Sequence, residues 1–288
     1  MKQKYKIVRR DLEQLLNNKY SLGKISRMWS IPLPCLRYYC ARQNIPYDQN
    51  FRNRGLINHS YFDSIDTPIK AYLLGNFIAD GCIEIRKNSS NGINPTKRLL
   101  LGVQKRDISI LDLVKSEISP NSNLIEIGYK CRLNITSEGI VNTLFNKYRI
   151  ITNKTYDLDF RFDFNLIPVN LLRDFIVGLL DGDGTVYWNK QYKRVYYIGF
   201  CSLQKGFLEQ IGNIFKDKFN LTYKLSERKA QYLGGSPTIT LKIHIPRVRE
   251  EQIYNYLYSN SKFCLERKRS KFSNQYRGNS SSKEAITP

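Results

Sequence analysis

The sequence predicts an α+β protein made of two copies of one unit, helix–strand–strand–helix–strand–strand–helix, behind a small all-α module. Two observations carry this. First, "YLLGNFIADGCIEIR" (72–86) returns as "FIVGLLDGDGTVYWN" (175–189), with Gly75 and Gly178 103 residues apart, as are Asp80 and Asp183. An internal repeat at this spacing means two similar supersecondary units and not one large one. Second, the segments after each apolar helix alternate apolar and polar residues with period two, the mark of antiparallel strands with one covered face.

The elements follow in order. Residues 10–45 read as three short helices. Asp11, with Gln14 three positions on, is the expected cap of the first, and Ser21 of the second. Leu22, Ile25 and Trp29 share a face of that second helix, and Pro34 fits the first turn of the third. The third helix carries Arg37, Tyr38 and Arg42, so residues 1–46 resemble a helix-turn-helix DNA-binding module. Residues 47–65 are polar, with Arg52 and Arg54, and read as a linker along a nucleic-acid backbone. The two halves are expected at 66–165 and 166–274, with a disordered Ser- and Gly-rich tail at 275–288.

Within each half a Gln-Lys pair follows the second strand. Gln104-Lys105 lies 24 residues after Asp80, and Gln204-Lys205 lies 21 after Asp183. Amphipathic helices come next, "DISILDLVKSEI" and "GFLEQIGNIFKDKF", then two more strands, a helix and a closing lysine, Lys154 or Lys268. Strand alternation assigns faces. Ile83 and Ile85 oppose Glu84, Arg86 and Asn88; Val186 and Trp188 oppose Thr185, Tyr187, Asn189 and Gln191. Cys131, Leu133 and Ile135 oppose Lys130, Arg132, Asn134 and Thr136; Ile239, Leu241, Ile243 and Ile245 oppose Thr238, Thr240, Lys242 and His244. An open face bearing Arg, Lys, Asn, Gln and Thr has the donors and acceptors that read base edges in a major groove.

Charge points the same way. Forty-six Lys and Arg against 25 Asp and Glu give a net charge of +21, spread along the chain and accompanied by 20 Tyr. Such an excess draws a polyanion. No apolar run is long enough to span a bilayer, and "MKQKYKIVRRDLEQL" has no apolar signal segment, so no membrane partner and an intracellular, DNA-associated location in cytoplasm, nucleoid or organelle matrix are expected. The six cysteines form no CxxC pair, which argues against a structural zinc site or a disulfide framework. "DGDGTVYWNKQY" fails as an EF-hand because Val186 and Tyr192 stand where Gly and Glu are required. The ends, Met1 and Ile286-Thr287-Pro288, lack the nucleophile and His-Asn pattern of an intein, so a freestanding protein is expected.

The stretches Leu73-Leu74-Gly75-Asn76-Phe77-Ile78-Ala79-Asp80-Gly81 and Ile176-Val177-Gly178-Leu179-Leu180-Asp181-Gly182-Asp183-Gly184 resemble the twin motifs of single-chain LAGLIDADG homing endonucleases. The resemblance spans about residues 66–274 and rests on two motif copies, each followed by Gln-Lys and then the closing lysine. It implies two αββαββα halves paired through the motif helices about a pseudo-two-fold axis, with Gly75 and Gly178 letting the backbones approach. It further implies that Asp80 and Asp183 hold Mg²⁺, that Gln104 and Gln204 orient water or a phosphate, and that Lys154 and Lys268 polarise water and stabilise charge on the phosphate. Lys105 and Lys205 share the lysine role or bind backbone. Two departures stand out: Ile78 replaces an acid that the second half keeps as Asp181, and Asn76 puts an amide where a helix interface favours an apolar residue, so it needs a partner across the interface. The implied activity is a staggered double-strand break at a long asymmetric DNA target by a monomer, promoting mobility of its own gene. An RNA-binding intron maturase, with intron RNA as partner, and a non-cleaving DNA-binding regulator are the alternatives.

Overall fold

The three N-terminal helices form where capping and periodicity put them, with one exception. The structure is a computed structural model that describes residues 7–18, 20–47, 57–86, 95–228, 238–259 and 261–272. The chain divides into two compact units, one of residues 1–57 with 115–122 and one of 58–114 with 123–288. In the first, α1 (Arg9–Asn17), α2 (Leu22–Trp29) and α3 (Leu33–Arg42) enclose Leu12, Leu22, Ile25, Ile31, Leu36, Cys40 and Ile45. Ser21 caps α2, accepting a hydrogen bond from Lys24 N, and Pro34 sits in the first turn of α3. Asp11 is not the cap of α1. That helix starts earlier, at Arg9, which pairs with Glu13 one turn on at 2.8 Å. Asp11 thereby falls inside the first turn, where its charge still favours the helix N-terminus. Arg37, Tyr38 and Arg42 are exposed.

The second unit begins with a segment expected as linker. Tyr61, Phe62 and Ile65 are buried, and Tyr148 Oη donates to Phe62 O at 2.9 Å. Three large apolar residues in five positions are reason enough for residues 58–65 to pack. Asn88, residues 48–56 of the expected linker and the expected tail lie outside the described residues.

The first half then runs α4 (Pro68–Asp80), β1 (Gly81–Arg86), β2 (Thr96–Gln104), α5 (Ser109–Ile118), β3 (Leu124–Ile127), β4 (Lys130–Thr136) and α6 (Glu138–Asn146). The second runs α7 (Leu172–Asp183), β5 (Gly184–Asn189), β6 (Arg194–Ser202), α8 (Lys205–Phe219), β7 (Tyr223–Arg228), β8 (Thr238–His244) and α9 (Glu250–Tyr258), followed by the one-turn α10 (Glu266–Arg269). Both halves are αββαββα, and both sheets are antiparallel with the same order, β1-β2-β4-β3 and β5-β6-β8-β7. The fold class read from the repeat is the fold observed.

What fixes the halves together is the crossing of α4 and α7. Thr67 caps α4, Pro68 opens it, and the helix is buried nearly all round, with Leu73, Leu74 and Phe77 at its centre. A helix apolar on every side has to lie inside the protein. A Cβ at Gly75 would overlap the Phe175 carbonyl oxygen and lie 2.8 Å from Leu179 N; one at Gly178 would overlap Tyr72 O and lie 3.2 Å from Asn76 N. Only glycine allows backbone to meet backbone at this crossing.

Strand alternation holds fully in β4, where Cys131, Leu133 and Ile135 are buried and Lys130, Arg132 and Thr136 exposed. It fails in three places. Ile85, near the end of β1, is 44% exposed although it stays paired with Lys97. In β5 the register shifts between Tyr187 and Trp188, so Tyr187 faces Tyr197 while Trp188 faces Val195. Such a bulge turns the side chains that follow it. Gln191 accordingly lies beyond β5 in the turn, and Asn189 Oδ1 accepts from Gln191 N and Tyr192 N at 2.9 and 3.1 Å. That oxygen shapes the turn. Thr240, expected on the open face, is buried against Cys201 across the sheet, its Oγ1 3.5 Å from Cys201 Sγ.

Candidate active site and nucleic-acid interface

Each motif helix ends in an aspartate, and the helix crossing brings those ends together. Asp80 closes α4 and Asp183 closes α7. A Cβ on Gly182 would lie 3.1 Å from Asp80 Oδ2, so the last turn of α7 abuts the carboxyl of α4. Both carboxyls reach solvent, yet protein atoms crowd them. Crowding, and then the charge of Asp183, push the Asp80 carboxyl up to about 6. Crowding also raises Asp183, opposed by the positive charges of Lys154 and Lys268.

The two closing lysines do something the sequence did not foretell: they cap the motif helices. Lys154 Nζ donates to Phe77 O at 2.8 Å, and also to Ile78 O and Ala79 O at the end of α4. Lys268 Nζ donates to Leu180 O, to Asp181 O at 2.8 Å and to Gly184 O at 2.7 Å at the end of α7. A cation on the last carbonyls satisfies groups that a helix leaves unpaired and complements its dipole. Burial pulls both ammonium groups down to about 8, against the carboxylate charges nearby. Lys154 feels Asp183 most strongly; of the two motif-end acids, Lys268 feels Asp80.

The glutamines differ between halves. Gln104 ends β2 and is exposed. Gln204 is buried two residues past β6, its Nε2 donating to the Lys154 backbone carbonyl at 2.5 Å while Oε1 accepts from Ser202 Oγ. Lys105 pairs with Glu126 at 2.6 Å and Lys205 lies 3.9 Å from Glu209; Lys105, Glu126 and Lys205 are exposed and Glu209 is half-buried. Asn76 needs no partner across the interface, contrary to expectation, because its Nδ2 donates to Tyr72 O one turn back in α4. Asp181, buried, instead ties the halves: Oδ2 accepts from Tyr72 Oη at 3.0 Å and from Leu265 N at 2.7 Å. It is a structural acid.

Asp80 and Asp183 fit a hard divalent cation. They offer oxygen donors only, their like charges crowd each other, and the neighbouring lysines spend their protons on backbone carbonyls. Among the described residues no cluster of three or more His, Cys, Asp or Glu could hold a metal. Two carboxylates leave the other positions to water and substrate phosphates, the usual arrangement for Mg²⁺.

Both sheets present an open polar face. On the first, Glu84 pairs with Arg86 at 2.8 Å and with Arg98 at 3.8 Å, and Lys130 and Arg132 are exposed beside half-buried Asn134. On the second the face is aromatic. Tyr187 stacks on Tyr197 at 4.8 Å, Lys242 Nζ sits 5.2 Å over the Tyr197 ring, and His244 meets Tyr196 edge-on at 5.4 Å. Arg98 and Tyr197 were missed in the sequence, though the register Glu84↔Arg98 and Tyr187↔Tyr197 follows from pairing consecutive strands as a hairpin. Asp107, bound by Arg267, was missed too, and no local signal marks it.

The fold and these paired helix-end acids define a two-motif αββαββα protein with one composite acidic centre between two polar sheets. Residues 170–259 match the model of the LAGLIDADG-like domain. Among solved structures, mesophilic variants of the homing endonuclease I-DmoI match at 17% identity over 67% of this chain and 97% of theirs, TM-score 0.46. I-DmoI in complex with DNA and Ca matches at 14% identity over 73% of this chain and 95% of that one, TM-score 0.45. The I-SmaMI LAGLIDADG homing endonuclease bound to cleaved DNA matches at 14% identity over 72% and 87%, TM-score 0.48. At these identities and scores the likeness is a general one. No curated protein matches the sequence. No helix among the described residues is long and apolar enough to cross a membrane.

Proposed function

We propose that the chain is a site-specific endonuclease on double-stranded DNA, acting as a monomer and making a staggered break at a long asymmetric target by Mg²⁺-dependent phosphodiester hydrolysis, as a homing endonuclease does. The observation that carries this is the pair Asp80 and Asp183, held side by side by the glycine crossing of α4 and α7. The match of residues 170–259 to the LAGLIDADG-like domain supports it, as does a net charge of +21.

In this reading the two open sheets lie along the major groove, with Glu84, Arg86, Arg132, Asn134 and Lys242 toward base edges and Lys130 toward backbone. Tyr187 and His244 supply apolar contact beside them. Arg37, Tyr38 and Arg42 in the N-terminal module add an accessory contact to duplex DNA. Asp80 and Asp183 hold the cation, which when bound lowers the pKa of water and neutralises the leaving oxygen. Lys154 and Lys268 keep the helix ends, and so the two carboxylates, in place, and their charge lies where negative charge builds on the phosphate. Gln104, exposed at the end of β2, is free to orient water or phosphate; the Gln204 amide is held on a backbone carbonyl.

Substitution tests it. Asp80→Asn and Asp183→Asn remove a metal ligand at nearly constant shape, so each should abolish double-strand cleavage while duplex binding stays within a few-fold of the parent. Full cleavage by either variant would overturn the assignment of these acids. Tighter binding to structured RNA than to any duplex would favour a maturase instead.

A further inference from the structure

The two closing-lysine segments are clasped differently. Arg267, on α10 beside Lys268, makes a bidentate ion pair with Asp107 in the other half: Nε to Oδ1 at 2.7 Å and Nη2 to Oδ2 at 2.8 Å. Asp107 is buried in the turn that follows Gln104. Across the axis, the turn after β6 performs the matching task with a neutral group, Gln204 Nε2 on the Lys154 carbonyl. Each half's turn therefore grips the lysine segment of the other half. One grip is a planar two-point charge pair and the other a single amide contact.

We propose that Asp107–Arg267 and Gln204 are positioning residues, each setting the placement of one lysine, Lys268 and Lys154 respectively, and through it the cleavage of one DNA strand. The Lys268 ammonium reaches the α7 carbonyls from α10, which is held by Leu265 N on Asp181, by Arg267 on Asp107 and, just past its end, by Lys271 Nζ on Val186 O and buried Phe272. Of these, the Arg267 pair is the side-chain contact to the first half. Releasing Arg267 frees the α10 side that faces the first half. Releasing Gln204 frees only the Lys154 segment. The two perturbations act on different lysines, so their effects separate by strand.

The test uses Asp107→Asn, Arg267→Lys and Gln204→Ala in the full chain, with two readouts. The first is metal-free: acetylation of individual lysines by acetic anhydride, followed by mass spectrometry. Asp107→Asn and Arg267→Lys should raise Lys268 reactivity several-fold and leave Lys154 unchanged; Gln204→Ala should do the reverse. The second is cleavage of a duplex labelled on both strands. A misplacement of about 1 Å can cost about a hundredfold in rate, so Asp107→Asn should slow one strand by about tenfold to a hundredfold and leave the other within twofold, accumulating nicked duplex. Gln204→Ala should nick the opposite strand. Equal slowing of both strands, or reactivity rising at both lysines or neither, would overturn the inference. Arg267→Lys keeps the charge and guards against a variant that fails to fold. The cleavage readout rests on the endonuclease reading above and the acetylation readout does not, so a parent that cuts nothing sinks that reading and leaves the clasps to be judged on lysine reactivity.

Discussion

Replacing Gly178 by alanine attacks one of the two glycine contacts that bring the motif helices together. The added Cβ would overlap Tyr72 O and lie 2.9 Å from Tyr72 C and 3.2 Å from Asn76 N, all backbone atoms of α4. Carbon atoms rest at about 3.5–4.0 Å, and no side-chain rotation can relieve a clash with backbone. The helices must therefore part by roughly 1 Å. Overpacking of this kind costs about 1–3 kcal/mol, and the better helix propensity of alanine returns up to about 1 kcal/mol. The net loss of about 1 kcal/mol lowers Tm by roughly 2–3 °C in a chain of this size. The shift also separates Asp80 from Asp183, so cleavage should fall about a hundredfold, more than the stability loss explains. Gly23→Ala is the control, since nothing lies within 4 Å of its Cβ; it should leave Tm and cleavage unchanged or slightly raised. The assays are thermal unfolding and cleavage rate at saturating Mg²⁺. Gly178→Ala with the parent's Tm and rate would refute the close-crossing argument.

Three further outcomes are expected. Because the folded Asp80 carboxyl is raised to about 6, its charge works against folding at neutral pH: the favourable contribution is full below the ordinary carboxylate range and is lost as pH rises through about 6. Metal-free Asp80→Asn should therefore melt above the parent at pH 7.5, the gap closing as pH falls below 6 and reversing when Mg²⁺ is added. A lower Tm for the metal-free variant at pH 7.5 would contradict this. Duplex affinity should fall about a thousandfold between 50 and 200 mM salt if six or more phosphates are contacted, and filter binding at several salt concentrations measures the slope. Arg37→Ala with Arg42→Ala should weaken duplex binding about tenfold without moving the cut position; a moved cut would mean that the module chooses the site.

Much of this was legible in the sequence because it is local or repeated. Gly75 and Gly178 share one spacing with Asp80 and Asp183, which placed the crossing and the acids together. Alternation marked the open face of β4 without error. What escaped depends on contacts between distant segments. Arg267 and Asp107 are 160 residues apart, and nothing near either predicts the other. The lysines were expected to face the phosphate, yet their aliphatic stems carry each ammonium to unpaired carbonyls at a helix end, a demand visible only once the helix ends are placed. Asp11 failed as a cap because α1 starts at Arg9, which puts Asp11 inside its first turn. Gln191 left the open face because it lies in the turn past the β5 bulge, while Thr240 stays on that face beside exposed Cys201 but is covered by its neighbours. Asn76 found its partner within its own helix, leaving Asp181 to hold the halves.

The most direct measurement is a cleavage selection: a fully randomised duplex library incubated with the protein and Mg²⁺, with broken ends sequenced. The account predicts one long, partly asymmetric site cut in both strands with a fixed stagger, and no ends from the Asp80→Asn protein. Duplexes bound but never cut, with Mg²⁺ or Mn²⁺ present, would contradict it.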